Sequence, residues 1–387
     1  MWSSCAILAH DRLSSVKIAL VSDCYLPRLG GIEVQVHDLA QRLVAQGHEV
    51  VAYTVTPAHA EQYSGLEIID GIHVHRFALG LPYDVALNPM AISQLRVAIT
   101  NGGFDVVHAH IGVISPFSMD AVRMTLGMGI PTAVTWHSVM SWAGPLLRPL
   151  GFIKRWAADG AALSAVSRVA ARPVASMAGA GHEVVVLPNG IDTDVWTPGG
   201  PRIGDEVRVI SAMRLARRKR PLEFFKVMKA VHREAPNVRL EIAGEGELRA
   251  KLVRAVDLAD AHEWVSLPGR MTRAQLHERY LDSDLYVAPA RLEAFGIAAL
   301  EARSSGLPVL APTSSGVCEF VENEVNGLLV DGDEGLVAGL TRLALDRDLR
   351  ESMAHTNRTV RPKQAWPEVV RLAEDEYARA ADLQRRR

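Results

Sequence analysis

The sequence predicts two α/β domains of similar size, each a parallel sheet covered by helices on both faces. Three observations predict this. The chain has 387 residues, more than a single hydrophobic core usually organises. Strand-like apolar runs alternate with helix-periodic stretches along nearly its whole length, the order that builds parallel sheets. The alternation is interrupted once, from Asn189, by NGIDTDVWTPGGPRIGD, whose Gly, Pro and Asp mark a linker.

Residues 1–15, MWSSCAILAHDRLSS, have no basic n-region and no cleavage site, and read as a disordered extension. From Val16, VKIALVS is the first strand and DCYLPRLGG a loop. A helix over 34–46 follows, with Val34, Val36, Leu39, Leu43 and Val44 on one stripe and Gly47 at its end. EVVAYTV, HVHRF, DVVHAH, TAVTW, AALSAV and EVVVLP are six further strands. Beyond the linker come VRVISA, a helix over 222–233, VRLEIAG, a helix near 248–256, VSL and DLYVAP. Another helix, then LPVLA and NGLLV, complete the second domain. The tail, 336–387, reads as helices interrupted by Pro362 and Pro367. The domains are therefore expected at 16–195 and 205–362.

Composition excludes several classes of function. Nearly half the residues are hydrophobic, so a packed chain is expected rather than a disordered one. A net charge of −2 argues against nucleic acid held by a general basic field. Cys5, Cys24 and Cys318 are too few and too scattered for a disulfide framework or a zinc site, which fits a reducing, cytoplasmic setting. No apolar run approaches the roughly 20 residues that cross a bilayer.

The stretch with most chemistry is PARLEAFGIAALEARSSG, Pro289 to Gly306. An apolar strand ends at the proline, a loop delivers Glu293 ahead of Phe295-Gly296, and Ile297, Leu300 and Glu301 then follow a helical period. A helix starting near Gly296 presents free N–H groups and a positive dipole end to an anion, and the missing side chain lets a phosphate approach. Glu301 then lies roughly 7–8 Å along the axis, at about 1.5 Å per residue, near the ribose beside a bound diphosphate. Glu293 could accept from hydroxyls of a different sugar. Favourable first-turn acids and ordinary turn glycines would explain the same residues.

The spacing E-x-F-G-x(4)-E, carried by Glu293, Phe295, Gly296 and Glu301, resembles the hallmark motif of retaining glycosyltransferases of family 4. The resemblance covers about 16–380, with the motifs in the family's order. It implies a glycosyltransferase-B (GT-B) fold: two Rossmann-like domains with parallel sheets facing across a cleft, and the last helix, about 366–381, packing back on the first domain. DCYLPRLGG is similar to the N-terminal family motif whose second glycine, here Gly31, lines the diphosphate; a tight turn alone would also explain the pair. RLARRK resembles R-L-x-x-x-K, which implies Arg214 and Lys219 on the leaving diphosphate. Met213 departs from the glycine usual before this arginine, which puts the backbone of that turn in question. His137 in TAVTWHS matches a histidine near the donor sugar. Asn189-Gly190 resembles the entry to the hinge, and Gly244, Gly246 and Leu267-Pro268-Gly269-Arg270 resemble segments beside the nucleotide base. His108 and His110 are read as sheet-end packing.

The activity implied is transfer of a hexose from GDP-mannose, with UDP-hexose nearly as plausible, to a lipid or glycan acceptor. No cofactor is expected to be permanently bound. Four D-x-D triplets, beginning at Asp192, Asp282, Asp331 and Asp346, are read as chance, because Arg214 and Lys219 supply the positive charge and no metal is expected. Trp142, Leu146, Leu147, Leu150, Phe152, Lys154, Arg155 and Trp156 fit either a buried hairpin or a face resting peripherally on an anionic membrane, on the inner side of the plasma membrane. A nucleotide-sugar epimerase of the same fold and a non-catalytic sugar-nucleotide binder are the rival readings.

Overall fold

The structure, a computed structural model, describes residues 15–28, 30–58, 64–79, 88–140 and 151–387. The first sheet holds β1 (Lys17–Ser22), β2 (Glu49–Thr54), β3 (Ser64–Ile69), β4 (Ile72–Phe77), β5 (Val106–Ile111), β6 (Thr132–Trp136), β7 (Ala162–Ala165) and β8 (Val184–Val186). Their order is β3-β4-β2-β1-β5-β6-β7-β8. The ladders β1–β2, β1–β5 and β2–β4 are parallel, and β3 runs antiparallel to β4 at the edge. β5 is buried at every position, as expected of a strand with helices on both faces. Those helices include α1 (Gly31–Ala45), α2 (Ala91–Gly102) and α3 (Pro116–Gly127). After β6 come α4 (Phe152–Ala158) and α5 (Arg168–Ala178).

The second sheet is β11-β10-β9-β12-β13-β14, with every ladder parallel. Its strands are β9 (Val207–Ala212), β10 (Val238–Ala243), β11 (Val265–Gly269), β12 (Leu285–Val287), β13 (Val309–Pro312) and β14 (Gly327–Val330). Between them run α6 (Pro221–Glu234), α7 (Arg249–Leu258), α8 (Arg273–Leu281) and α9 (Ile297–Ser304), followed by α10 (Gly332–Leu345) and α11 (Arg347–Thr359). Val209, Phe224, Met228, Leu240, Leu285 and Leu310 are among the residues of one continuous core. Leaving aside the antiparallel edge strand β3, the strand order in each sheet reverses once, between β1 and β5 and between β9 and β12. Open α/β sheets bind ligands at the carboxyl ends of the strands at such a reversal.

By packing, the chain divides into two compact units: residues 1–134, 155–163 and 370–387, and residues 135–154 and 164–369. That division cuts β6, whereas the hydrogen-bonded ladder continues to β8; the ladder is the better guide to the domain, because breaking it would leave backbone groups unpaired. The last helix, α12 (Trp366–Arg385), packs with the first unit from Val370 onward. His48 Nε2 meets Glu374 Oε1 at 3.0 Å, His108 Nδ1 meets the Tyr377 hydroxyl at 3.1 Å, and Arg379 donates to the Leu163 carbonyl at 2.7 Å.

Several elements differ from the sequence reading. β3 was not expected: SGLEII contains a glycine, and Leu66 and Ile68 stay 55% and 63% exposed on an edge strand, so burial leaves no clear alternation. α8 was also missed, although Thr272 and Gln275 form a capping box at its start. α1 begins at Gly31, three residues before its apolar stripe. The proposed N-terminal extension up to Ser14, and Trp142, Leu146, Leu147 and Leu150, lie outside the described residues. Trp156 is 5% exposed on α4, so its ring packs inward. No helix among the described residues is long and apolar enough to cross a membrane.

Candidate active site

The loops after β9 and β12 carry the densest group of candidate residues. After β9 the chain runs through Arg214 into a short 3-10 turn, Arg217–Lys219, which turns Lys219 back toward the neighbouring strand's loop. There the Lys219 ammonium pairs with the Glu293 carboxylate, and the two side chains keep only 21% and 18% of their surface. An ion pair this sheltered is screened little by salt. Arg214 is exposed, and among the described residues its guanidinium has no hydrogen-bond or ion-pair partner.

The loop bearing Glu293 is held from behind. Phe295 is 2% exposed and packs against Phe320, with ring centroids 5.4 Å apart. Gly316 donates its N–H to the Glu293 carbonyl at 2.8 Å and lies so close that a Cβ there would fall 2.1 Å from the Ala294 oxygen. Gly296 caps α9 at φ 93°, a left-handed conformation that favours glycine. No side chain caps this helix and its first turn has no acid, so the N–H groups from Ile297 onward keep their positive end uncompensated. Glu301 is the fifth residue of α9.

A buried tyrosine joins the two strands from which these loops leave. Tyr286 donates its hydroxyl to the Ala212 carbonyl at 3.1 Å, and Ser211 donates to the Val287 carbonyl at 2.6 Å, tying β9 to β12 at the strand-order reversal. Burial first, and then the nearby charges of Glu293 and Glu301, push the Tyr286 phenol well above its ordinary range. Both carboxylates therefore bear on one buried ring.

The loops after β9, β10 and β11 are stitched by backbone. Met213 N–H donates to Ala243 O at 2.9 Å, Leu215 N–H to Glu245 O at 2.8 Å, and Gly244 N–H to Gly269 O at 2.7 Å. A Cβ on Gly244 would lie 1.9 Å from the Met213 oxygen, and one on Gly246 would lie 2.6 Å from the Leu215 oxygen. Both glycines also have φ in the left-handed range, 136° and 157°. The turn at Met213 needs no positive φ, and its side chain packs on the domain core. Arg270 is exposed at the end of β11.

In the first sheet, Gly31 is the exposed first residue of α1. Glu33, 5% exposed, folds back over this turn so that a Cβ at Gly30 would meet its Oε2 at 2.5 Å, and Arg28 pairs with it at 3.1 Å. Asp23, just after β1, accepts from the N–H groups of Phe117 and Ser118 at 3.0 and 2.9 Å and from Ser118 Oγ at 2.6 Å. It thereby fixes the start of α3. His137 follows β6; burial lowers its pKa to about 4, opposed by a hydrogen bond with Asn189, so the imidazole is neutral at physiological pH. His108 and His110 lie with ring centroids 4.0 Å apart, tilted by 37°, and His108 meets Tyr377 of α12 edge-on.

With the geometry established, comparison with known proteins decides the class. Residues 29–195 match the family described as "Glycosyltransferase Family 4", and residues 195–360 match "Glycosyl transferases group 1". The chain belongs to the family-4-like glycosyltransferases of the GT-B fold. This glycosyltransferase is 24% identical over 368 residues to the gpi3 component of phosphatidylinositol N-acetylglucosaminyltransferase from Schizosaccharomyces pombe, covering 92% of the chain and 79% of the relative. It is 25% identical to a Mycobacterium tuberculosis GDP-mannose-dependent α-(1-6)-phosphatidylinositol monomannoside mannosyltransferase, covering 88% of the chain and 92% of the relative. Among solved structures, HepE from Anabaena in complex with UDP and glucose shares its fold at a TM-score of 0.72, with 16% identity, 94% of this chain and 99% of that one. Sucrose-phosphate synthase from Thermosynechococcus elongatus does so at 0.74, with 18% identity, 94% of this chain and 98% of that one.

Most of the D-x-D acids of this glycosyltransferase have partners within the chain. Asp282 and Asp284 pair with Arg208 and Arg202, Asp331 accepts from Thr313, Asp333 meets Arg220 and Arg291, and Asp346 caps α11. Asp194 meets Arg361 at 3.2 Å. Among the described residues no group of three or more His, Cys, Asp or Glu is arranged to hold a metal. Sequence reasoning missed Tyr286, Ser211 and Gly316. Tyr286 carries a faint signal, a polar tip inside the apolar run LYV, whereas nothing in TSSGV distinguishes Gly316.

Proposed function

We propose that this glycosyltransferase moves a hexose from a nucleoside-diphosphate sugar to a lipid or glycan hydroxyl with retention of anomeric configuration. The observation that carries the reading is the Lys219–Glu293 pair beside the open N-terminus of α9. The Glu293 carboxylate stands where an anion can meet Lys219. When a donor binds, its diphosphate takes over Lys219, Arg214 and the N–H groups at Phe295–Ile297, and Glu293 turns to the sugar hydroxyls. Gly31 lines the diphosphate, Glu301 holds the ribose, and Gly244 and Arg270 lie along the base.

The bond from C1 to the diphosphate oxygen breaks as the bond from C1 to the acceptor oxygen forms on the same face. The acceptor's proton passes to the leaving phosphate, while Arg214 and Lys219 balance the growing charge without a metal. His137, held neutral, orients the sugar as a hydrogen-bonding group. Residues 16–195 with the helix 366–381 form the acceptor-side domain, residues 205–362 the donor domain, and Asn189-Gly190 the hinge.

Mannose from GDP-mannose is the preferred donor sugar, because a mycobacterial relative is GDP-mannose-dependent; a UDP-hexose is the alternative. Phosphatidylinositol appears in the names of both relatives described above and supports a lipid acceptor; its encounter from the cytoplasmic side, at an anionic membrane, belongs to the same proposal. The test is a pair of variants. Glu293→Ala should abolish transfer and leave nucleotide binding largely intact, whereas Lys219→Ala should weaken both. Near-normal turnover in both overturns the assignment.

A further inference from the structure

Side chains join the loops after β9 and β12 at three places. At the candidate site Lys219 pairs with Glu293. A second bridge runs through Asp333, in the first turn of α10. Its Oδ2 accepts from Arg220 Nη2 at 2.7 Å and its Oδ1 from Arg291 Nη2 at 3.1 Å. Arg220 directly follows Lys219, and Arg291 stands two residues before Glu293. One carboxylate thus holds, by separate oxygens, the near neighbours of both members of the pair.

The backbone makes this bridge consequential. Arg220 sits at φ 61°, a left-handed conformation that L residues rarely adopt, and its side chain also reaches the Pro289 carbonyl at 3.4 Å. The turn that aims Lys219 therefore depends on where Arg220 is anchored. Arg291 is tied at its other end, where Ser314 Oγ donates to its carbonyl at 3.3 Å. Arg220 keeps only 15% of its side-chain surface. The two guanidiniums, Arg220 first, hold the Asp333 carboxyl below the usual carboxylate range.

We propose that Asp333 is a positioning residue for sugar transfer. It keeps the Lys219 loop and the Glu293 loop at a set separation while their own pair is open. The inference rests on the roles assigned above to Lys219 and Glu293. When a diphosphate draws Lys219 away from Glu293, that tie between the loops is lost. The Arg220–Asp333–Arg291 bridge is unaffected, and it keeps the ammonium and the carboxylate within reach of one donor. Asp333 acts through its neighbours and exchanges no atom with the substrate.

The test is Asp333→Asn, which preserves shape and removes the charge. Turnover should fall by about 10- to 100-fold, the scale of a misplacement of up to about 1 Å. Affinity for GDP or UDP, measured by calorimetry, should fall severalfold, with the melting temperature little changed. In a Lys219→Ala background the same substitution should add no further loss of diphosphate affinity, and Asp333→Glu should restore part of the turnover. Wild-type turnover and affinity, or losses that multiply in the double variant, overturn the proposal. Should Asp333→Asn fail to fold, Arg291→Gln removes one arm at a half-exposed side chain and must lower turnover in the same direction. The underlying reading fails separately, if Glu293→Ala still transfers sugar.

Discussion

Replacing Gly316 by alanine should disable transfer by displacing the loop that carries Glu293. The added methyl would lie 2.1 Å from the Ala294 oxygen, 2.5 Å from its carbonyl carbon and 2.8 Å from the Phe295 Cα. Non-bonded heavy atoms rest about 3.5–4.0 Å apart, so the backbone at 294–295 has to retreat by about 1 Å or more. The φ at Gly316 is not left-handed, so this retreat, and not a strained turn, is the whole effect. It also pulls on the 2.8 Å hydrogen bond from Gly316 N–H to the Glu293 carbonyl. Overpacking of this kind costs about 1–3 kcal/mol. At about 2–4 °C per kcal/mol, the melting temperature should drop by several degrees. Because the displaced segment carries Glu293 and begins α9, a shift of about 1 Å predicts a loss near 100-fold in kcat. Steady-state transfer and thermal unfolding of the folded variant measure the two effects independently. Wild-type kcat in Gly316→Ala would show that the loop does not depend on this contact, and the reasoning would fail.

Other substitutions test different links. Gly127 ends α3 with nothing within 4 Å of its would-be Cβ and no left-handed φ, so Gly127→Ala should raise stability by about 0.5–1 kcal/mol without changing kcat, checked by urea unfolding. Gly190 would place a Cβ 2.4 Å from the Trp366 ring, so Gly190→Ala should lower stability by about 1–3 kcal/mol, and adding Trp366→Leu should recover part of the loss. The His137 pKa is lowered from 6.5 to about 4, so between those values the unfolded chain binds more protons than the folded one, and stability falls as pH drops through that window. At about 1.4 kcal/mol per unit the loss approaches 3 kcal/mol, and His137→Asn should lose correspondingly less between pH 7 and 4.5 in urea midpoints. Parallel losses in the two proteins would remove His137 as the cause.

The fold was legible because its rules are local. Buried parallel strands read as continuous apolar runs: VKIALVS, VRVISA and DLYVAP each contain a strand of the structure, and DVVHAH holds all of β5 but its last residue, Ile111. The start of α9 at Ile297 followed from one glycine and the period of the residues after it. β3 escaped because its place depends on pairing with β4 rather than on burial. Within the candidate site, Arg214, Lys219, Glu293 and Glu301 were singled out by the likeness of their spacing to a family motif, since a solvated basic loop and ordinary first-turn acids would explain the same residues locally. The buried supports were not: Tyr286 and Gly316 matter through contacts with residues distant in the chain, and no local pattern encodes those.

Met213 makes the distinction concrete. Read along the chain, a methionine where the family places glycine puts the turn before Arg214 in doubt. In space the question moves to another residue. The close approach in this region is between the Met213 carbonyl and the backbone of Gly244, whose Cβ would intrude to 1.9 Å, while Met213 itself keeps ordinary backbone angles and packs its side chain on the core. The steric demand of a turn is met by whichever strand end lacks a side chain, and here the end of β10 lacks it. Departure from a family pattern at one position therefore says little about geometry until the residue across the contact is known. The same reasoning applies at Arg220, where a left-handed turn that would usually call for glycine is occupied by an arginine whose side chain is secured by Asp333. In both turns, whether a residue fits is decided by partners more than twenty positions away.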